Sequence, residues 1–139
     1  MNNPAPTTRP FTTPPDADEI AALAERALHA IPGRLRRHID NLAIAVEEEA
    51  DEEILAQMGL ESPWELSGLY HGTPLDERSV SDIARGPDLI TLYRLPILLE
   101  WLEEGEDLYR LVRNVLIHEV AHHFGFSDPE IEALEREMG

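Results

Sequence analysis

The sequence predicts a small α+β domain, with about three short strands in a mixed sheet packed on one long central helix and further helices at its flanks. Three observations carry this. The 139 residues are 42% hydrophobic and 28% charged, enough for a single core and too few for a second domain. Apolar residues recur at helical steps near the start of the chain and again, more widely, from Glu106 to Phe124, which marks two substantial helices. Between them lie three strand-like runs, Leu42 to Val46, Trp64 to Gly72 and Leu89 to Leu95, bounded by glycine and proline.

The elements follow in order. Residues 1–15, with five prolines and four threonines around one aromatic, bury too little to offset the entropy of ordering and are expected to form a flexible tail. The domain is then 16–139. Its first helix carries Ile20, Leu23, Ala24, Ala27, Leu28 and Ile31 on one face and ends at Pro32-Gly33. A short basic segment leads to the first strand, which runs into six carboxylates between Glu47 and Glu53. These are expected to be a solvated loop and helix start, because the interleaved ligands and glycine of a calcium loop are missing. Ile54 to Leu60 is a brief helix. The second and third strands are separated by a polar loop with turn residues Gly72-Thr73-Pro74 and Gly86-Pro87. Pro96 is expected to open a short helix over Ile97 to Glu103, ahead of the long one.

Charge and composition exclude several functions. There is no cysteine, hence no disulfide framework and no thiolate metal site. Eleven basic residues, all arginine, face 28 acidic ones for a formal charge of −17, which repels phosphate backbones and anionic lipid surfaces. The one basic patch, Arg34, Arg36 and Arg37, is too small to reverse this. Residues 1–20 lack an apolar segment behind a basic start, and no apolar run approaches the roughly 20 residues that span a bilayer. A soluble cytoplasmic protein is expected, with no nucleic-acid or membrane partner.

The long helix carries the chemistry. It ends His118-Glu119-Val120-Ala121-His122-His123-Phe124-Gly125-Phe126-Ser127-Asp128. Its stripe of Leu108, Leu111, Val115, His118 and His122 is expected to face inward, toward the sheet. Two histidines four apart lie one turn apart on one face and can present their nitrogens to one metal ion. Glu119 sits about 100° further round, beside that metal, where a carboxylate can take a proton from water. Gly125 allows a positive φ and a reversal of the chain, which makes Asp128 a candidate third ligand. Three protein ligands and an open position characterise a catalytic zinc. With this composition His-Glu-x-x-His arises by chance in about 3% of such chains, and in about 0.01% with the glycine and aspartate in register.

This segment, IHEVAHHFGFSD, resembles the small zincin-like metallopeptidases that carry the motif HExxHxxGxxD, the minimal zincins. The order of first helix, strand entering an acidic loop, GLYHGTPL segment and ITLYR strand is similar to theirs as well, over about residues 18–135. The resemblance implies a zincin-like α+β core, one zinc ion per chain on His118, His122 and Asp128, and Glu119 as general base in peptide-bond hydrolysis. Two features depart from larger relatives. A methionine turn below the metal has no counterpart except Met138, and the glutamate class takes its third ligand from a later helix, where Glu132 or Glu135 would stand.

Other readings remain open on sequence alone. Asp128 is either a ligand or the N-cap of a final helix starting at Pro129; capping by Ser127, with Glu130 completing a capping box, would free it for the metal. His123 and Tyr93 are candidates to reach substrate or its oxyanion, as are Tyr70 and His71, although an exposed side chain with no role explains His123 and ordinary strand packing explains the other three. A peptide or protein substrate would pair with a sheet edge, for which Leu89 to Arg94 is the expected strand. The rivals are a catalytically silent zincin-like binding or regulatory module, for which a homodimer is one conceivable assembly, and a metal-dependent endoribonuclease. Glu119, Asp128 and the charge oppose the latter.

Overall fold

A computed structural model describes residues 13–36, 39, 42–72 and 88–139. The readings made at 1–12, at Arg37 and His38, and at the turn residues Thr73, Pro74, Gly86 and Pro87 lie outside the described residues. Pro15, assigned to the tail from composition, is buried, and its carbonyl accepts a 2.7 Å hydrogen bond from Arg94 Nε.

Helix α1 (Ala17–Ala30) starts at a capping box in which the Asp16 side chain accepts from the Glu19 N–H at 2.8 Å and Glu19 accepts from the Asp16 N–H at 3.0 Å. A single turn, α2 (Gly33–Arg36), precedes β1 (Leu42–Glu47). The acidic stretch resolves as expected: Asp51 caps α3 (Glu52–Met58) through the Ile54 N–H, and Glu52 and Glu53 occupy its first turn, the end of a helix that favours negative charge. Then come β2 (Gly68–His71), β3 (Asp88–Tyr93), α4 (Arg94–Glu104), α5 (Leu108–His123) and α6 (Asp128–Met138).

The three strands form a mixed sheet in the order β1-β3-β2, with β1 parallel and β2 antiparallel to β3. The domain is thus the α+β arrangement that the sequence predicts, but β3 lies in the middle. Leu89 to Arg94 is therefore not an edge, and among the described residues the edges are β1 and β2. Two boundaries also move. Ser62 caps a turn of 3₁₀ helix at Pro63–Glu65, so the strand expected from Trp64 begins only at Gly68. The chain turns helical at Arg94, two residues before Pro96, where the Leu95 N–H reaches back to the Glu48 carbonyl at 3.0 Å.

Helix α5 runs through the core. Leu108, Leu111, Val112, Leu116, Ile117, Val120 and Ala121 are buried along it, against Ile20, Ala24 and Ala27 of α1, Ile90 and Leu92 of β3, and Ile131 and Leu134 of α6. The opposite face of the sheet is covered by a second cluster of Ala50, Leu55, Leu66 and Tyr93. Side chains alternate along β3, so Leu92 and Tyr93 belong to different clusters. Arg113, only 5% exposed, ties α5 to α6 by donating from Nη1 to the Met138 carbonyl at 3.3 Å, at the negative end of that helix. No helix among the described residues is long and apolar enough to cross a membrane.

Helix α5 approaches the sheet closely at Gly68. A Cβ there would stand 3.0 Å from Val115 Cγ1, 3.4 Å from Glu119 Cγ and 3.4 Å from Leu92 Cδ2. The glycine allows helix and strand to meet, and α5 is packed on α1 and α6 as well. Gly68→Val should therefore destabilise the fold by about 2 kcal/mol through overpacking, read as a lower urea midpoint at unchanged slope. An unchanged midpoint would mean that the helix gives way freely.

Candidate metal centre

The site is built at the junction of α5 and α6. Helix α5 closes in a Schellman arrangement: the Phe126 N–H donates to the Ala121 carbonyl at 2.9 Å and the Gly125 N–H to that of His122 at 3.0 Å. Gly125 has φ +86°, a conformation most side chains resist. Two residues later the chain enters α6 at its N-cap. Ser127 caps it in a box with Glu130, whose Oε1 accepts from the Ser127 N–H at 3.0 Å and from its hydroxyl at 2.9 Å. These bonds hold the Glu130 carboxyl below its ordinary pKa. With Ser127 as cap, Asp128 is the first helical residue and its side chain is not needed for capping.

Two tight turns in four residues bring Asp128 back over the end of α5. Its Oδ1 lies 3.1 Å from His122 Nε2. The rings of His118 and His122 meet edge to face, 4.5 Å between centroids. One donor atom each from His118, His122 and Asp128 fall within 4.8 Å of one another. Two imidazoles and one carboxylate converging on one point are a donor set suited to zinc, and the C-terminal end of α5 adds a partial negative charge that favours a cation.

The histidines do not face inward as the periodicity suggests. All three converging residues are exposed. The stripe begins in the core at Leu108 and Leu111, is half-buried at Val115, and emerges at His118, while Val120 and Ala121 on the other side of the helix remain buried, so one face of α5 is left uncovered. Glu119 is more enclosed. Burial pushes its carboxyl pKa up, partly opposed by a hydrogen bond from the Tyr70 main chain and by the nearby His122. It is thus a carboxylate of raised basicity held next to the histidine pair.

Neither of the other two candidates joins the site. Tyr93 is fully buried on the far face of the sheet, where its hydroxyl finds no hydrogen-bond partner among the described residues. Burial and the neighbouring Glu47 and Asp51 raise its pKa. Strand alternation explains the misplacement, since Leu92 takes the α5 side. The His123 ring is stacked on Tyr70 at 3.8 Å between centroids and meets Phe124 edge to face, so packing occupies it. Tyr70 donates its hydroxyl to Asp88 Oδ2 at 2.8 Å, and His71 pairs with Thr91 Oγ1 on the opposite face.

Sequence reading missed the cleft beside the site. About 500 Å³ in volume, it reaches His118 and Glu119 at one end and is walled by Ser67 and Gly68 of the β2 segment and by glutamates from three other places in the chain. Glu135, tried above as a ligand, lines this cleft instead. The one local signal was Gly68 inside a strand-like run, which marks a close approach.

Comparison with known proteins agrees with this geometry. A family model described as zincin-like metallopeptidase matches residues 39–138, from just before β1 to the end of α6. No curated protein matches the chain. The match spans well over half of the sequence and includes all four residues at the junction, and the chain belongs to the zincin-like metallopeptidase family, which implies a zinc cofactor.

Proposed function

We propose that the protein is a zinc-dependent peptidase that holds one zinc ion per chain on His118, His122 and Asp128 and uses Glu119 as general base. The observation that carries this is the convergence of those three donors within 4.8 Å, with an enclosed carboxylate on the next residue of the same helix. Bound zinc would supply Lewis acidity, making water acidic near neutral pH and polarising a peptide carbonyl. Glu119 accepts the proton from the attacking water and returns it to the nitrogen of the departing amine. Its raised pKa suits both transfers. The hydrogen bond from the Tyr70 main chain fixes the carboxylate while it acts.

The sheet edge available to a peptide is β2, in place of the strand expected from sequence. The Tyr93 N–H donates to the Ser67 carbonyl at 2.9 Å, so the alternate residues Gly68 and Tyr70 turn their main-chain groups away from β3. Tyr70 is engaged with Glu119. Gly68 lies on the cleft, where an extended substrate pairs with it.

Purified protein should bind one equivalent of zinc by metal analysis. Glu119→Gln should keep the metal and lose about 10²- to 10⁴-fold in peptide hydrolysis, whereas the double variant His118→Ala, His122→Ala should lose both. Zinc bound equally well by that double variant would sink the assignment. Ser127→Ala removes the cap that leaves Asp128 available. It should cost about 1 kcal/mol in thermal or urea unfolding of the apoprotein and weaken zinc binding in a competitive chelator titration. Unchanged zinc affinity in a destabilised Ser127→Ala would remove Asp128 from the ligand set.

A further inference from the structure

The cleft that ends on His118 and Glu119 has a chemical character of its own. Its floor includes Leu66, Leu111 and Val115, and its rim carries Glu65, Glu100, Glu106 and Glu135, with no arginine among the described lining residues. Glu65 is already engaged, accepting from the Ser62 and Glu61 N–H groups at 3.0 and 3.2 Å. The remaining three come from α4, from the segment between α4 and α5, and from α6. Residues far apart in sequence thus converge one sign of charge on one concave surface.

Among the described residues no ion pair involves Glu100, Glu106 or Glu135. Arg94 pairs with Glu48 at 3.0 Å, Arg113 donates to the Met138 carbonyl, Arg26 lies over the Tyr109 ring, Arg36 donates to the His29 carbonyl, and neither Arg110 nor Arg136 is paired with a carboxylate of the cleft. Glu100 accordingly has its carboxyl pushed up by burial and then by the like charges of Glu106, Glu104 and Glu103. Like charges gathered in a cleft repel one another and concentrate counter-charge there. A metal ion is not the fitting complement, because among the described residues only His118, His122 and Asp128 bring three such donors close enough to hold one.

An apolar floor under a carboxylate rim matches a side chain with a methylene stem and a cationic head, as in arginine or lysine. Resting on the peptidase reading above, we propose that this cleft is a substrate subsite selecting a basic residue near the scissile bond, with Glu100 and Glu106 as its specificity-determining residues. Glu119 performs the proton transfer, while Glu100 and Glu106 choose which peptide is presented to it.

The test uses acetylated, amidated eight-residue peptides with a single arginine walked through each position, and matched peptides with the uncharged isostere citrulline. Binding is measured by calorimetry to the zinc-loaded Glu119→Gln protein, which retains the cleft, and kcat/KM is measured with wild type. The expected result is at least tenfold tighter binding of arginine over citrulline at one or two positions, weakening with salt. The same preference should appear in kcat/KM. It should fall to less than threefold in Glu100→Gln, Glu106→Gln, with the citrulline peptides handled as before. Equal binding of the two series, or a preference untouched by the double variant in a protein that still binds one zinc, overturns the proposal. An arginine preference in binding without hydrolysis of any peptide would retain the subsite and overturn the peptidase reading instead.

Discussion

Helix α5 has to serve the core and the cleft at once, and the other elements are arranged around that double duty. Its Leu116, Ile117, Val120 and Ala121 are fully buried, while His118 and His122, on the same two turns, are exposed. A helix can do both only if its covering elements stop short of one stripe. Helix α1 and strand β3 cover one side, α6 another, and β2 approaches only as far as Gly68 allows. The apolar burial of this one helix therefore sets the rotation that turns the histidines outward. A substitution that let α5 roll about its axis would damage the site before it damaged the core.

The junction after α5 is the second constraint. A Schellman closure and a capping box share the residues from Ala121 to Glu130 with no slack between them. Each satisfies main-chain groups that would otherwise be left unpaired at a helix end. Together they place Asp128 beside His122, 3.1 Å from Oδ1 to Nε2. Short loops lose little entropy on ordering, so the donors proposed to hold zinc are already assembled in the fold. Asp128 stands in the first turn of α6, the positive end of that helix dipole, which suits its negative charge.

Local chemistry was legible in the sequence and relative placement was not. Spacing identified the histidine pair, the adjacent glutamate and the glycine turn, because helical geometry fixes those relations within four residues. The choice between Asp128 as cap and as candidate ligand was posed correctly, but whether Ser127 takes the cap depends on the conformation of Gly125. Tyr93 was misjudged because alternation along a strand separates two faces without saying which is which. The edge strand was misjudged because Leu89 to Arg94 reads the same in the middle of a sheet as at its border; parallel pairing with β1 is a long-range fact. The inward reading of His118 and His122 failed for a similar reason: periodicity shows that a stripe exists, not where its cover ends. The cleft glutamates, dispersed from Glu65 to Glu135, leave no local pattern at all.

Glu119 links these constraints. Its backbone belongs to α5, its carboxylate receives a hydrogen bond from the Tyr70 main chain on the edge strand, and burial between the two raises its pKa. The helix-to-strand distance therefore bears on how basic that carboxylate is. If β2 were further away, water would enter, the desolvation would fade and the carboxyl would return toward its ordinary range. Any closer, and Val115 would collide with the strand. Gly68 holds the separation at which the carboxylate is both desolvated and tethered. A packing contact with no functional group of its own thereby tunes the residue proposed as general base.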